Sequence, residues 1–187
     1  GYLAQHSAQT PSLWNLRGYA WFRPLIYGIN GLGVFFLTAA RHLGPSFWGF
    51  KNPPPDRGLL TTGFYKITRH PLYWSVFCLL FAHTLVFGSA LAVLYFFCME
   101  LYNVAGVIVF ENRGLARHYG PALTAFHAQT STLPFKAIWQ GRVKLEQREL
   151  PRGAVIGALL FTVLIALLHE PILERLMYAV PTLAALH

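Results

Sequence analysis

The sequence predicts an all-α membrane protein: a single-domain polytopic helical bundle with about four transmembrane helices within residues 1–187. Hydrophobic residues make up 55% of the chain and charged residues only 12%, whereas a typical soluble domain carries about 25% charged residues. The apolar residues are also gathered into long blocks that hold few charges. In lipid a lone segment must satisfy its own backbone hydrogen bonds, and a helix does so.

Four apolar blocks predict the positions of the spans, at residues 21–40, 72–87, 90–110 and 154–168. Crossing the hydrocarbon takes about 20 residues. The last block is shorter, so Arg152 and His169 would have to extend their side chains towards the headgroups. Gly88 and Ser89 separate the second and third blocks and predict a tight antiparallel hairpin. Pro71 suits the first turn of the second helix, where its missing N–H costs nothing.

The basic residues predict the orientation of the bundle. Of the 15 Lys and Arg residues, five lie between the first and second blocks and seven between the third and fourth. Alternating spans place both loops on one side, which the positive-inside rule assigns to the cytoplasm or matrix. We therefore expect a mitochondrial or bacterial inner membrane. Topology and anionic lipid headgroups account for the net charge of +8, and with no nucleic-acid motif present we expect no nucleic-acid partner.

His83 is the candidate metal ligand, because it lies deep within a predicted span. An ionisable group inside a membrane indicates a functional site by default, and neutral imidazole is a common ligand of metals, including haem iron. The structural alternative is a histidine that is hydrogen-bonded within the bundle. His70 precedes it by thirteen residues, about 20 Å along a straight helix and on a nearly opposite face, so the two cannot ligate one metal. For His70, a simple role at the mouth of a membrane helix is an equal alternative.

Two further polar positions lie in the same predicted hairpin. Glu100 and Asn103 are three residues apart and share a helix face, from which they could meet His83. They would then form either a structural hydrogen-bonded cluster or part of a haem pocket or proton path. Cys78 and Cys98 are expected to be small buried hydrophobic residues.

Five strings along the chain carry a family resemblance: SLWNLRG, TTGFYKITRHPLYW, FAHTLVFG, ENRGLARHYG and TSTLPFKAIWQGR. In order and spacing they resemble the NnrU family, which is associated with denitrification, and its relative zeta-carotene isomerase. The resemblance implies a polytopic membrane protein. For the isomerase it also implies a haem b, held by histidines, that catalyses redox-dependent cis–trans isomerisation of a carotenoid double bond. By position, His83 matches a haem-ligand histidine, His70 matches the histidine of the RHP motif, and His6 matches a further histidine.

The chain departs from the isomerase pattern in three places. The helix that carries the other axial histidine would lie before Gly1. Leu80 stands where the family has a cysteine three residues before the ligand, and Cys78 is too far around the helix to replace it. A paired histidine of the third helix is also replaced, in the region of Tyr102. These departures place the isomerase reaction in doubt for this chain.

A second resemblance implies a different cofactor. RHPLY followed by FENRGLARHYG resembles the isoprenylcysteine and phospholipid methyltransferases of membranes. In those enzymes the RHP region and an acidic residue near Glu111 help to bind S-adenosylmethionine. Asn112 stands where they usually have a second acid, and this chain continues past Leu133 into another helix.

The function predicted from sequence is an accessory, non-catalytic membrane subunit of a larger respiratory complex. Small residues would form its contacts with other membrane subunits, namely Gly28, Gly31, Gly33, Gly153, Gly157 and Ala158. One alternative is a haem b-dependent carotenoid cis–trans isomerase in which His83 binds the iron. The other is a methyltransferase that binds S-adenosylmethionine near His70 and Glu111.

Overall fold

The computed structural model describes residues 12–39, 58–107, 112–149 and 151–184, with side chains as far as residue 168. Its α-helices are α1 (Phe22–Leu37), α2 (Phe64–Ile67), α3 (Pro71–Phe87), α4 (Ala90–Ala105), α5 (Asn112–Tyr119), α6 (Pro121–Gln129), α7 (Lys136–Trp139) and α8 (Arg152–Ala184). A 3₁₀ turn covers Gln147–Glu149. Apart from one isolated bridge between Ser12 and Ser89, the regular structure in these ranges is helical, which confirms the all-α class.

The long helices form an antiparallel bundle around α1, which packs against both α3 and α8, while α4 packs against α3. One buried cluster joins Phe22 and Ile26 of α1 to Ala82 near the end of α3. At the other end of α1, Phe36 packs with Ile67 and with Ala154. The first turn of α1 therefore lies near the last turn of α3. Its last turn lies near the starts of α3 and α8.

Each of the four predicted apolar blocks falls on a long helix. Helix α3 starts one residue before the predicted block, at Pro71 in its first turn, and ends at Phe87. Helix α8 continues to Ala184, beyond the predicted end at Leu168, because the polar residues that follow end the apolar run without ending the helical backbone. Within the described residues, none of the helices combines the length and the apolar character needed to cross a membrane.

The short connection between α3 and α4 has the backbone conformation and the helix cap that its residues predict. Gly88 adopts a left-handed conformation (φ 58°) and ends α3. The Ser89 hydroxyl then accepts a hydrogen bond from the Ala92 N–H at the start of α4, which satisfies one of the unpaired donors there. Gly88 and Ser89 thus form the predicted tight hairpin turn.

The small residues of α1 and α8 pack inside the chain, so our prediction that they contact a partner is wrong for three of them. A Cβ on Gly31 would collide with the Thr162 hydroxyl, and one on Gly33 would lie 2.9 Å from Leu79 Cγ. Ala158 is only 7% exposed. Missing side chains let helix axes approach closely, and here they bring α1 against α8 and α3. Gly28 and Gly157 have no atom within 4 Å of an added Cβ.

The outer faces of α4 and α8 carry the large apolar side chains. No residue of α4 is buried, because its main packing partner among the long helices is α3 alone. Its exposed residues include Cys98, so the expectation that both cysteines are buried is correct only for Cys78. Exposed large residues on these two helices include Leu94, Phe97, Leu101, Val104, Ile156, Leu159, Leu160, Val163, Leu164 and Leu167. The described part of the chain leaves these two faces uncovered.

The contact between Gly31 and Thr162 predicts a difference between two glycines of one helix. Gly31→Ala should lower the free energy of unfolding by about 1–3 kcal/mol, the usual cost of overpacking. Thr162 cannot rotate away freely, since its hydroxyl donates to the Ala158 carbonyl at 2.7 Å. Gly28→Ala is the matched control and should be neutral or stabilise the protein by up to about 1 kcal/mol. Thermal unfolding in detergent, followed by circular dichroism, measures both; equal effects would contradict the close packing of α1 on α8.

Candidate functional site

Helix α3 and the residue before it supply two of the histidines that the sequence singled out, His70 and His83, whereas the third, His6, lies outside the described residues. His70 is the residue before the first turn of α3 and is buried against the edge of the Tyr73 ring, with 5.8 Å between the ring centroids. His83 lies in the fourth turn and is exposed. The two residues therefore belong to opposite ends of the helix, as their spacing predicts.

At the N-terminal end of α3, two arginines bind the C-terminal end of α6. The Arg69 guanidinium donates to the carbonyls of His127 and Thr130, the latter at 2.7 Å. The Arg142 guanidinium donates to the Ala128 carbonyl at 3.0 Å. The last carbonyls of a helix have no intrahelical donor and form the negative end of its dipole, so cations bind there favourably. Burial, and then the neighbouring Arg142, lower the pKa of Arg69.

The same two chain segments are joined by neutral hydrogen bonds. The Thr68 hydroxyl and the Trp74 indole N–H both donate to the Thr132 carbonyl, at 2.7 and 2.8 Å. The Phe135 N–H donates to the Ile67 carbonyl at 2.9 Å. We call residues 64–74 together with residues 127–149 the basic clasp. It unites two of the sequence motifs, TTGFYKITRHPLYW and TSTLPFKAIWQGR, and it places residues from the two basic loops at the same end of the bundle.

The C-terminal end of α3 is bound by a third motif, SLWNLRG. The Trp14 indole N–H donates to the Leu85 carbonyl at 3.1 Å, and the Arg17 guanidinium donates twice to the Val86 carbonyl, at 3.2 and 3.0 Å. The Leu13 N–H donates to the Gly88 carbonyl at 2.7 Å. A side chain at Gly88 would collide with the Trp14 carbonyl. Both ends of α3 are thus fixed by residues distant in sequence.

His83 lines a cavity between α3 and α4 with a volume of about 240 Å³. Its Nδ1 lies 2.7 Å from the Leu79 carbonyl oxygen, which can only accept a hydrogen bond. In a neutral imidazole, Nδ1 therefore carries the proton and Nε2 has the lone pair that could bind a metal or another ligand. The remaining lining residues are Leu79, Leu80, Thr84, Phe87, Ser89, Leu91, Ala92 and Tyr95.

The protein itself uses two of the polar groups in this cavity. The Thr84 hydroxyl donates to the Leu80 carbonyl at 2.9 Å, and the Ser89 hydroxyl accepts from the Ala92 N–H. None of the hydrogen bonds within the described residues engages the Tyr95 hydroxyl. The cavity therefore offers an otherwise apolar wall with His83 Nε2 and the Tyr95 hydroxyl as its available polar groups.

The other predicted polar residues do not join His83. Asn103 donates to Glu100 at 3.4 Å, so the two do share a face of α4, but neither lines the cavity. His83 lies five residues before the Gly88 turn and Glu100 twelve after it, which puts them at different heights in the hairpin. Glu111 lies outside the described residues. Within those residues no three His, Cys, Asp or Glu side chains form a group able to hold a metal ion.

Within the basic clasp, Lys66 of α2 contacts the 3₁₀ turn that ends the second segment. Its ammonium group donates to the Glu149 carboxylate at 2.6 Å and to the Lys144 carbonyl at 3.2 Å. The Glu146 N–H donates to the same carboxylate at 3.0 Å. The Lys66 hydrogen bond, followed by that of Glu146, lowers the pKa of Glu149 below its usual value.

Comparison with known proteins places the chain in a family. It belongs to the NnrU protein family, whose model matches residues 1–175, and this confirms the resemblance seen in the motifs. It is similar to the 15-cis-zeta-carotene isomerase, chloroplastic, of Zea mays, with 28% identity over 189 residues, covering 96% of this chain and 49% of the relative. The Arabidopsis thaliana protein of the same name is 30% identical over 152 residues, covering 78% of this chain and 39% of the relative.

The chain spans about half the length of these curated relatives, or less. No solved structure matches it. Sequence reasoning picked out His83 and the separate motifs but did not pair those motifs. The available signal was that SLWNLRG, TTGFYKITRHPLYW and TSTLPFKAIWQGR each hold an arginine and a tryptophan, whose side chains can donate to the unpaired carbonyls at a helix end.

The arginine contacts predict that Arg69 holds the basic clasp together. Arg69→Gln should lower the free energy of unfolding by at least about 1.5–3 kcal/mol, the value of one hydrogen bond to a charged group, and amide exchange should accelerate in residues 130–142. Arg148→Gln is the control, because that arginine pairs with Glu146 at an exposed site and such pairs contribute about 0–1 kcal/mol. Unchanged exchange in Arg69→Gln would contradict the clasp.

The lowered pKa of Glu149 predicts an acid sensitivity. A carboxyl whose folded-state pKa lies below its usual value of 4.5 stabilises the fold above that value, and this contribution disappears as the pH falls through the folded-state pKa. As the pH is lowered below the usual value of 4.5, the melting temperature of the wild type should therefore fall more steeply than that of Glu149→Gln. Lys66→Met should weaken the dependence as well. Parallel curves for all three proteins would show that the ion pair does not stabilise the clasp.

Proposed function

We propose that this chain is a membrane-embedded isomerase that acts on a double bond of a carotenoid-like conjugated hydrocarbon, with His83 in its active site. One observation carries the proposal: a histidine with a fixed Nδ1–H and a free Nε2 lines an apolar cavity on a helix that is bound at both ends. The curated relatives are carotenoid isomerases by name, which agrees with an apolar substrate. This favours our isomerase alternative over the accessory subunit.

The location in a bilayer is part of the proposal. Large apolar residues are exposed along α4 and α8 while Gly31, Gly33 and Ala158 pack inside, the arrangement that lipid contact favours. Basic residues of two loops lie together at one end of the bundle, as the positive-inside rule expects. A long hydrocarbon substrate is also dissolved in the bilayer, so a cavity between α3 and α4 is open to it from the side.

Haem b is the proposed cofactor, and His83 would hold it through Nε2. The Leu79 carbonyl fixes the tautomer that leaves Nε2 available, and an oriented Nδ1–H is the usual companion of a histidine that binds a metal. When bound, haem supplies one-electron redox chemistry. Leu79, Leu80 and Phe87 would exclude water and hold the hydrocarbon against the site. A volume of about 240 Å³ is below the usual range of about 300–1,000 Å³, so the cavity takes a segment around one double bond.

The methyltransferase alternative finds less support in the geometry. The Arg69 guanidinium already donates hydrogen bonds to carbonyls at the C-terminal end of α6. His70 is buried, with 6% of its surface exposed. The RHP region is therefore not open to the carboxylate of S-adenosylmethionine.

The accessory subunit in a respiratory complex remains the second candidate. The exposed faces of α4 and α8 would suit a neighbouring subunit as well as lipid. It is weakened because Gly31 and Gly33, which were expected to contact that subunit, pack within the chain. The curated relatives are named as chloroplastic and lend no support to a mitochondrial or bacterial inner membrane, which stays a prediction.

Substitution of His83 tests the proposed function. In the purified, reconstituted chain, His83→Ala should abolish the redox-sensitive Soret band and lower the rate of polyene isomerisation, followed by chromatography of the isomers. The isomerisation rate should fall by more than about 10–100-fold, which is the loss that follows removal of a group hydrogen-bonded to a metal ligand.

His118→Ala is the control, because His118 is exposed on α5 and does not line the cavity. It should keep both the Soret band and the rate. A full Soret band in His83→Ala would refute the ligand assignment. A wild type that shows neither haem nor isomerisation would refute the proposed function.

A further inference from the structure

The basic clasp exposes two large apolar side chains that the bundle does not use. Trp139, at the end of α7, is 83% exposed and Leu133 is 51% exposed. The other side of the same segment packs inwards, since Ala137 is fully buried and Phe135 and Ile138 pack against the main core cluster. The segment is therefore amphipathic, with an outer apolar surface of its own.

Cations surround this surface. Residues 133–144 contain Lys136, Arg142 and Lys144 and have no Asp or Glu, and all three basic residues are exposed. Tryptophan prefers the boundary between hydrocarbon and water because its ring is apolar and its N–H is polar. Basic residues are attracted to anionic headgroups. The combination matches one partner chemistry, a negatively charged phospholipid surface.

The same segment also lies level, along the bundle axis, with the ends of α1, α3 and α8. The Phe135 N–H donates to the Ile67 carbonyl, four residues before α3 begins. The core cluster beneath the segment contains Phe36, from the last turn of α1, and Ala154, from the first turn of α8. If the bundle spans a bilayer, the ends of these three helices lie in the headgroup layer, and Trp139 lies there with them.

We propose that residues 133–144 form an interfacial anchor that binds the anionic headgroup layer of a phospholipid bilayer through Trp139, Leu133 and the surrounding cations. This inference rests on the membrane location in the proposed function and is independent of the isomerase activity. The anchor fixes the clasp, and with it the N-terminal end of α3, at the membrane surface.

Lipid quenching of Trp139 fluorescence tests the anchor. The full chain is reconstituted into phosphatidylcholine vesicles with and without phosphatidylglycerol, carrying lipids brominated near the top of the acyl chain. The difference between the wild type and Trp139→Phe isolates the Trp139 signal. Bromolipid should quench at least half of this signal, and more strongly when phosphatidylglycerol is present.

Two double variants distinguish binding by residues 133–144 from attraction of the whole basic protein to anionic lipid. Lys136→Gln with Lys144→Gln should remove the dependence on phosphatidylglycerol. Arg113→Gln with Arg148→Gln removes the same number of charges from exposed sites outside the segment. This double variant should keep most of the dependence on phosphatidylglycerol. Equal loss in the two double variants would overturn the anchor in favour of non-specific attraction to the net charge of +8.

A second reporter separates failure of the anchor from failure of the membrane location. In a Phe97→Trp variant the new ring lies on the exposed face of α4, and lipids brominated deep in the acyl chain should quench it. Quenching there, combined with a Trp139 that is accessible to aqueous iodide, would overturn the anchor alone. A Trp139 shielded from both quenchers would indicate a protein contact and would also overturn it. Absence of quenching at both reporters would overturn the membrane location together with the anchor.

Discussion

The unpaired carbonyl groups at the C-terminal ends of α3 and α6 constrain the arrangement of the rest of the chain. A helix leaves its last carbonyls without intrahelical donors, and burying them without partners is costly. Arg69 and Arg142 supply donors to α6, and Trp14 and Arg17 supply them to α3. Each donor is distant in sequence from its acceptor, so satisfying the carbonyls also fixes the tertiary fold.

The candidate site depends on this constraint through α3. With its N-terminal end joined to the basic clasp and its C-terminal end joined to SLWNLRG, the helix has little freedom to shift or rotate. The hydrogen bond from His83 to the Leu79 carbonyl lies within that one helix, so the imidazole keeps its orientation as long as α3 is intact. A ligand that binds Nε2 therefore meets a preorganised group, which lowers the entropy lost on binding.

The distribution of side-chain size explains how the bundle packs. Gly31, Gly33 and Ala158 lie between helices, and large apolar residues lie outside. Close approach of helix axes increases dispersion contacts, while the exterior remains suited to an apolar surrounding. Helix α4 contributes a wall to the cavity yet has no buried residue, because it packs mainly against one of the long helices.

The sequence by itself determined the all-α class, the family and the position of α3 to within a residue, because these follow from local periodicity, from turn residues and from motifs read along the chain. Tertiary structure decided which motifs meet. It placed Arg69 on α6 rather than at a cofactor, turned Gly31 inwards, left Cys98 exposed and separated Glu100 from His83. Helical periodicity shows which residues share a face, but it carries no information about what that face contacts. That contact depends on pairings such as Trp14 with Leu85, which are 71 residues apart, and these form only when the whole chain has folded.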